Sequence, residues 1–191
     1  MVTKEEILEI LKSSGTFLEG HFRLTSGLHS ALYVEKFRVL EHPKYTDLLC
    51  GEIARRFENE NITVVIGPAI GGVIIAYAVA RALDVRSIFC EREEGKLTLR
   101  RGFVITPEDR VLVVEDIVTT GGSVKEVLQV VEKSGATIVG IGLLVDRSNG
   151  DVDLGYRTEA LLTMRVTTYQ PDNCPLCQQG VPIVKPGSRI S

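Results

Sequence analysis

The sequence is short of the features that mark several broad classes of protein. Its 191 residues include only 4 cysteines, too few for a disulfide scaffold. Neither sign of charge dominates, since 22 basic residues face 25 acidic residues, and this balance gives no field for nucleic acid or an anionic membrane. The longest uncharged stretch, residues 62–80, is interrupted by Gly67-Pro68 and Gly71-Gly72, which favours a strand, a loop and a helix over a membrane span.

The start of the chain has no recognisable targeting signal. Residues 1–12 place acids among apolar positions and lack a basic stretch followed by an apolar run, so we expect no secretion signal and a cytoplasmic protein. Hydrophobic residues make up 44% of the chain and charged residues 25%, with 18 glycines and 7 prolines spread throughout. This composition excludes disordered, collagen-like and coiled-coil classes and predicts one folded domain over residues 1–191.

The order of the elements predicts the fold class. Thr3 and Glu6 form a capping box for a first helix that ends near Gly15, and a second helix begins at Pro43. From residue 62 onwards, apolar runs rich in β-branched residues alternate with helical segments. The runs lie at 62–66, 85–90, 111–114 and 137–145, and the helical segments lie at 72–83 and 124–134. Such alternation predicts an α/β fold with a mainly parallel, doubly wound sheet flanked by helices.

Local signals predict two further features. Ser123 and Glu126 indicate a capping box for the helix at 124–134, and Gly135 indicates its end. The proline-rich tail at 171–191 indicates an extended segment that lies over the domain.

The most informative segment is Val111-Leu-Val-Val-Glu-Asp-Ile-Val-Thr-Thr-Gly-Gly-Ser123, a buried strand that ends in two acids and turns into a helix. Consecutive small residues let backbone N–H groups converge at the helix N-terminus, where the helix dipole favours a phosphate. Glu115 and Asp116 lie at the carboxyl end of the strand, where open α/β sheets bind ligands and where adjacent carboxylates can accept hydrogen bonds from vicinal hydroxyls. Phosphate and sugar are therefore both predicted. The glycine patterns of P-loop and dinucleotide-binding proteins are absent from the sequence.

This segment resembles the phosphoribosyl diphosphate (PRPP) signature of type I phosphoribosyltransferases, in which four apolar residues, two acids and two apolar residues precede Thr-Thr-Gly-Gly. Three further segments resemble the orotate-specific branch of that family. They are the loop at 20–30 with Tyr33, the loop Gly67-Pro-Ala-Ile-Gly-Gly72, and the strand end Leu143-Leu-Val-Asp-Arg147. The resemblance implies a small N-terminal hood within residues 1–40, a PRPP-binding core at 60–147, and the extended tail at 171–191.

The activity that the resemblance implies is a pentosyl transfer. The 5-phosphoribosyl group of PRPP would pass to orotate, giving orotidine 5'-monophosphate and pyrophosphate in pyrimidine biosynthesis. The resemblance also implies Mg²⁺ on the pyrophosphate and ribose oxygens, and a homodimer with shared active sites.

The same resemblance implies a set of site residues. The PRPP-binding residues are Glu115, Asp116, Ile117, Val118, Thr119, Thr120, Gly121, Gly122, Ser123, Ile70 and Gly71. The orotate-binding residues are Thr119, Arg147, Tyr33 and Ser26, with Arg147 gripping the carboxylate. The catalytic residues are Lys96, Arg92 and Asp116.

The charged segment at 91–101 lies where the family has its mobile catalytic loop. By position, the resemblance implies that Arg92 and Lys96 reach the pyrophosphate of the partner subunit, with Arg100 and Arg101 as alternatives to Lys96. The segment lacks the family's usual histidine and is rich in acids.

Two departures from the family pattern concern cations. Thr25 and Gly71 stand where better-known members carry lysines, so two cationic contacts are missing. The demand for cations from the 91–101 loop is correspondingly stronger.

Other functions remain open. Another type I transferase would share the signature and act on a purine base, without needing Arg147 or the loop at 20–30. Some proteins of this fold use PRPP as an effector and bind nucleic acid, which the acidic balance of this chain disfavours. Taken alone, the 91–101 segment is a solvated surface, and Arg147 could form a surface ion pair with Asp146.

Metal binding is also open. Cys174 and Cys177 have the spacing of half a zinc site, but no second cysteine pair completes it, and His21, His29 and His42 show no metal-ligand spacing. We therefore assign no metal-binding residues, with structural zinc, including a site between subunits, as the alternative.

Overall fold

A computed structural model of the chain describes residues 1–186 as two sheets with helices around them. In chain order the elements are α1 (Lys4–Ser13), β1 (Phe17–Arg23), β2 (His29–Val34), α2 (Phe37–Leu40), α3 (Pro43–Arg56), β3 (Val64–Pro68), α4 (Gly71–Leu83), β4 (Arg86–Glu93), β5 (Lys96–Leu99), β6 (Arg110–Val118), α5 (Gly122–Ser134), β7 (Thr137–Asp146), β8 (Thr158–Thr163), β9 (Thr168–Tyr169) and α6 (Pro175–Gln178). Residues 187–191 of the predicted tail lie outside the described residues.

The larger sheet has the strand order β5-β4-β3-β6-β7-β8. Every neighbouring pair is parallel except β4 with β5, which is antiparallel. The predicted fold class, a mainly parallel sheet flanked by helices, is confirmed. Strand β8 was not predicted from the sequence.

The apolar run of β6 is buried because helices cover both faces of the sheet. Leu112 and Val114 pack into the core that α1, α3 and α4 share, whereas Val111 and Val113 pack into the core formed with α5. All four side chains are fully buried. Two-sided burial explains why the strand reads as a continuous apolar run rather than as an alternation.

The helix boundaries confirm two predictions and correct a third. The Thr3–Glu6 capping box is present, with the Glu6 N–H donating to Thr3 Oγ1 at 3.2 Å, and Pro43 begins α3. The predicted Ser123–Glu126 capping box is wrong. Helix α5 begins at Gly122, and the Glu126 carboxylate instead accepts hydrogen bonds from the 91–101 segment.

The smaller sheet has the strand order β1-β2-β9 and joins two strands from the N-terminal part of the chain to one from residues 168–169. Residues after β9 pack onto it, because Val184 pairs with Phe22 of β1 as an isolated parallel bridge. The prediction of an extended tail is wrong over part of its length. A 3₁₀ turn at Pro171–Asn173 and helix α6 occupy most of residues 171–178.

The segment at 91–101, predicted as a loop, folds largely as a β-hairpin. Strands β4 and β5 pair Arg92 with Leu97 and Glu93 with Lys96. Glu94 and Gly95 form the turn, and both have positive φ angles. Within residues 1–186, none of the helices combines the length and apolar character needed to cross a membrane.

Candidate active site

The carboxyl ends of the central parallel strands open into a cavity beneath the smaller sheet. This cavity has a volume of about 1220 Å³. Its walls come from the loop between β1 and β2, from residues after β2, and from the ends of β6 and β7. The open edge of a parallel sheet is where ligands bind in α/β proteins, so the topology places a site here.

All four residues predicted to bind orotate line this cavity: Ser26, Tyr33, Thr119 and Arg147. Tyr33 packs against Phe22, with ring centroids 5.7 Å apart. Burial, followed by the charge of Glu35, raises the pKa of Tyr33, so its hydroxyl remains a hydrogen-bond donor at neutral pH.

Arg147 is held at the end of β7 with an unused donor. Its backbone N–H donates to the carbonyl of Val118 at 2.8 Å, which fixes the residue beside β6. Its Nε is buried and has no hydrogen-bond partner among residues 1–186. Burial lowers the pKa of Arg147, although its ordinary value is so high that the guanidinium stays charged. A charged side chain that lines the cavity and keeps a buried donor without a partner in residues 1–186 indicates an anionic ligand.

The possible ion pair between Arg147 and Asp146 is not formed. The Asp146 carboxylate instead accepts hydrogen bonds from the backbone and hydroxyl of Ser148, at 2.8 and 2.6 Å, and from the backbone of Gly150 at 2.9 Å. Asp146 therefore shapes the turn after β7 and leaves Arg147 available to a ligand.

Two adjacent carboxylates and one ammonium group form the charged centre of the site. Glu115 and Asp116 are 7% and 2% exposed. Lys36, which follows β2, places its Nζ 2.9 Å from Asp116 Oδ2. Burial raises the pKa of both acids, and for Glu115 the neighbouring charge of Asp116 adds to the rise. Lys36 opposes the rise for both acids, and it acts on Asp116 through a direct hydrogen bond as well as through its charge.

Because Gly71 has no side chain, the carboxylate of Asp116 can lie against its backbone. A Cβ atom at Gly71 would collide with the Asp116 carboxylate and would come within 3.4 Å of the Lys36 side chain. The lysine absent at position 71 thus has a counterpart from a different segment, because Lys36 supplies a cation to the same carboxylate. Ile70 precedes α4 and is 73% exposed.

The Thr-Thr-Gly-Gly turn forms a second, smaller cavity of about 220 Å³ at the N-terminus of α5. Its lining includes the predicted PRPP-binding residues Glu115, Ile117, Val118, Thr119, Thr120, Gly121, Gly122 and Ser123. Gly121 has a φ of 76°, and a Cβ there would lie 2.8 Å from Leu154 and 2.9 Å from Val152. Only glycine fits this position, which keeps the backbone N–H groups at the helix N-terminus open to a phosphate.

Arg92 lies at the edge of the smaller cavity and is bound within its own chain. Its guanidinium donates to both carboxylate oxygens of Glu126, at 2.8 and 3.1 Å, and to the carbonyl of Gly95 at 2.6 Å. The Leu97 N–H also donates to Glu126. These bonds tie the hairpin to the first turns of α5, next to the phosphate-binding turn.

The remaining cations of the hairpin differ in their pairing. Arg100 pairs with Glu93 at 3.3 Å, and Arg101 pairs with Glu91 at 2.7 Å. Lys96 has no acidic partner in the part of the chain that the structure describes, and it is exposed. Lys96 lines neither cavity as residues 1–186 define them. The sequence analysis predicted Lys96 as a site residue. In a single chain, however, Lys96 lies apart from the other predicted site residues.

Sequence reasoning also missed residues that the fold brings to the site. Lys36 was not selected, because nothing in the local pattern connects it with Asp116, 80 positions away; the only signal was its place just after the predicted loop and Tyr33. The view that no histidine pair completes Cys174 and Cys177 is wrong. His21 and His29 lie against both cysteines.

These features define a class of protein. Three features share one edge of the sheet: a helix N-terminus suited to a phosphate, a pair of carboxylates suited to vicinal hydroxyls, and a cationic group suited to an anionic ligand. Such a site suits a phosphorylated sugar together with a second, anionic molecule.

Comparison with known proteins identifies the family. Residues 38–156 match the family described as the phosphoribosyl transferase domain. The chain belongs to the phosphoribosyltransferases.

Curated relatives cover almost the whole chain. An orotate phosphoribosyltransferase from Pelotomaculum thermopropionicum is 61% identical over 188 residues, which is 98% of this chain and 99% of the relative. An orotate phosphoribosyltransferase from Thermotoga maritima is 50% identical over 96% of this chain and 98% of its own length. A crystal structure of the orotate phosphoribosyltransferase from Aeropyrum pernix has a TM-score of 0.69 at 27% identity, covering 82% of this chain and 93% of that one.

Proposed function

We propose that this chain is an orotate phosphoribosyltransferase, which transfers the 5-phosphoribosyl group of PRPP to orotate and releases pyrophosphate, a step of pyrimidine biosynthesis. The observation that carries the proposal is Arg147, a residue that lines the larger cavity and whose buried Nε has no hydrogen-bond partner in residues 1–186. Relatives of this name at 61% and 60% identity over 98% of the chain support it.

Each cavity suits one part of the reaction. The smaller cavity suits the 5'-phosphate of PRPP, which would accept hydrogen bonds from the backbone at Gly121, Gly122 and Ser123. Asp116 and Glu115 lie between this turn and the larger cavity, where the ribose hydroxyls would donate to them. The larger cavity then receives the base, with Arg147 donating to the orotate carboxylate.

The chemistry is a substitution at the anomeric carbon of ribose. The bond between the anomeric carbon and the pyrophosphate oxygen breaks, and its electron pair leaves with pyrophosphate. The bond to N1 of orotate forms, and N1 releases its proton to the departing pyrophosphate or to water. Positive charge therefore develops on the sugar and negative charge on the leaving group. The buried carboxylates favour the former, and cations at the mouth of the site favour the latter. Acid–base catalysis has a secondary role.

The residues present fit Mg²⁺ that arrives with the substrate. Mg²⁺ prefers one or two protein carboxylates together with substrate oxygens. Glu115, which lines the smaller cavity, and Asp116, which lines the larger one, are the adjacent carboxylates that would hold it. When bound, the ion neutralises charge on the departing pyrophosphate.

A homodimer would complete the site. Arg92 is tied to Glu126, and Lys96 is exposed at the end of the hairpin turn, away from both cavities of its own chain as residues 1–186 define them. An exposed hairpin with an unpaired lysine suits contact with the pyrophosphate bound by a partner subunit.

A panel of acceptor bases tests the proposal. The purified protein with Mg²⁺ and PRPP should release pyrophosphate with orotate and at least about a hundredfold more slowly with uracil, which lacks the carboxylate. Adenine and hypoxanthine serve as the purine comparisons. Equal or faster turnover of a purine base would identify a different transferase, and no turnover of any base would favour a PRPP-responsive regulatory protein.

A further inference from the structure

Four side chains from three separate segments converge beside the smaller sheet, away from the residues proposed for catalysis. His21 lies on β1, His29 on β2, and Cys174 and Cys177 flank the start of α6. One ligand atom from each of the four lies within 4.8 Å of the other three. Both histidines and Cys174 are buried, whereas Cys177 is exposed.

Of the four short distances between these ligand atoms, three match the edges of a tetrahedron around a zinc ion, and the fourth, between the two nitrogens, is shorter at 3.0 Å. His21 Nε2 lies 3.0 Å from His29 Nδ1, 3.5 Å from the Cys174 sulfur and 3.7 Å from the Cys177 sulfur, and the Cys177 sulfur lies 3.3 Å from His29 Nδ1. Zinc bonds of about 2.3 Å to sulfur and about 2.0–2.1 Å to nitrogen imply tetrahedral edges of about 3.3–3.8 Å. We propose that His21, His29, Cys174 and Cys177 bind a structural Zn²⁺ ion.

The hydrogen bond on the far side of His21 selects the nitrogen that faces the ion. His21 Nδ1 donates to the carbonyl of Val181 at 2.7 Å. This bond leaves the lone pair of Nε2 directed at the other three ligands, which is the arrangement that metal-binding histidines adopt. Because Val181 belongs to the segment after α6, the same segment supplies both the orienting carbonyl and the two sulfurs.

The local backbone explains why the two cysteines point to one place. Cys174 is the N-cap of α6 and Cys177 lies in its single turn, so the three-residue spacing puts both sulfurs on one side. Backbone bonds between His21 and Val184 and between Arg23 and Val184, both 2.8 Å, fix the tail against β1. The four ligands are therefore arranged by the fold before the ion binds.

The ligand set indicates both the metal and its role. Two thiolates and two imidazoles in tetrahedral positions favour Zn²⁺ over Mg²⁺, which requires oxygen ligands. Four protein ligands fill the coordination sphere and leave no open position for a substrate. The ion therefore holds structure and takes no part in the transfer reaction.

The site connects two distant parts of the chain next to the base-binding cavity. The ligands on β1 and those on α6 are more than 150 positions apart. The loop between β1 and β2 lies between His21 and His29, and its residues Leu24, Thr25, Ser26 and Leu28 line the larger cavity. Zinc would thus fix the two strands that carry this loop.

Metal analysis of the full chain tests the proposal independently of its enzymatic activity. Protein produced with added Zn²⁺ and purified with a thiol reductant should contain about one zinc ion per chain after extensive dialysis. Cys177→Ser, at the exposed ligand, should lose zinc, with an affinity at least tenfold weaker. Cys50→Ala removes a cysteine outside the cluster and should keep the wild-type zinc content.

Two further measurements distinguish zinc binding from a change in folding. The wild-type protein should melt at a lower temperature when a strong chelator is added, whereas the melting temperature of Cys177→Ser should not respond to it. Co²⁺ in place of Zn²⁺ should give the visible bands of a tetrahedral site and a thiolate charge-transfer band. A wild-type protein without bound metal under reducing conditions would overturn the proposal, and so would equal zinc in Cys177→Ser.

Discussion

The ammonium group of Lys36 lies 2.9 Å from Oδ2 of Asp116, a carboxylate whose side chain is only 3% exposed. Burial raises the pKa of Asp116, and the charge of Lys36 opposes that rise. Lys36 comes from the segment after β2 and Asp116 from the carboxyl end of β6, so the contact joins the smaller sheet to the signature strand. This contact favours the ionised, hydrogen-bond-accepting form of Asp116 at the place where the ribose hydroxyls are proposed to bind.

Replacing Lys36 with Met should change the pH dependence of the reaction. The ionised form of Asp116 accepts hydrogen bonds, so activity falls as the pH drops through the raised pKa of the acid pair. Without the lysine that pKa rises further, and the acidic limb of kcat/KM for PRPP should move to higher pH. Lys133→Met, at the distant end of α5, is the control and should leave the limb in place. An unchanged limb in Lys36→Met would mean that Lys36 does not set the ionisation of Asp116.

Arg147→Ala should weaken the use of orotate while leaving PRPP binding nearly intact. Loss of a buried, charged donor to the base carboxylate should lower kcat/KM for orotate. The decrease should correspond to a loss of about 2–4 kcal/mol in transition-state stabilisation. Steady-state kinetics with each substrate varied in turn gives the measurement. Arg165→Ala removes an exposed arginine paired with Asp151 and should change neither parameter. Unchanged orotate kinetics in Arg147→Ala would remove Arg147 from the site.

Gly121→Ala should disturb the turn proposed to bind phosphate because the added Cβ would collide with neighbouring side chains, in addition to the strain of a positive φ angle. Gly121 and Gly155 have the same φ of 76°, but a Cβ at Gly121 would meet Leu154 and Val152, whereas nothing lies within 4 Å at Gly155. Both alanine variants should lose about 1–2 kcal/mol of stability from the left-handed backbone. Only Gly121→Ala should also lower kcat/KM for PRPP, by about ten- to a hundredfold. Similar kinetics for the two variants would contradict this account of the turn.

The parts of the site that could be predicted are those whose functional residues lie next to one another in the sequence. Glu115, Asp116 and the turn that follows lie in one segment at the end of a buried strand, so local pattern and position agree. Arg147 was selected only through the family resemblance, and it follows the next parallel strand.

The parts that could not be predicted depend on tertiary contacts. His21 and His29 meet only because β1 and β2 pair across a bulge, which no fixed sequence spacing describes. Glu126 matched the capping-box pattern, but two hydrogen bonds from Arg92 and one from the Leu97 N–H use its carboxylate instead. A charged segment read as a loop became a hairpin because Glu94 and Gly95 adopt a tight turn that pairs the flanking residues.

Asp109→Asn should destabilise the fold without affecting the site. The buried carboxylate of Asp109 accepts hydrogen bonds from Arg86, Thr63 and the backbone of Thr106. Burial raises its pKa, but these bonds outweigh burial and place it at about 2. Removing the charge should reduce the free energy of unfolding by about 1–3 kcal/mol at neutral pH. Urea titrations give the value, with the exposed Asp84→Asn as the control.

The loss of stability in Asp109→Asn should depend on pH. The folded pKa lies below the unfolded value of about 3.9, so the ionised carboxylate stabilises the protein above that value. The contribution is lost as the pH falls towards about 2. The difference in the free energy of unfolding between wild type and Asp109→Asn should therefore become smaller in acid. A gap that widened in acid would contradict the role given to Asp109.

Mixing two variants tests whether the active site is shared between subunits. If Lys96 serves the pyrophosphate of the partner subunit, a Lys96→Ala chain and an Asp116→Asn chain should complement each other. In a mixed dimer, both lesions fall in one site and the other site is intact. About half of randomly exchanged dimers are mixed, and each has one good site, so activity should recover towards about a quarter of wild type.

Arg100→Ala provides the matched control, because Arg100 already pairs with Glu93 and should give nearly wild-type activity on its own. Subunit exchange is verified separately with chains of different mass. If exchange is complete and the mixture has only the average activity of its parents, Lys96 acts within its own subunit. In that case the hairpin would have to move towards its own cavities, and the two bonds from Arg92 to Glu126 would be the contacts that break.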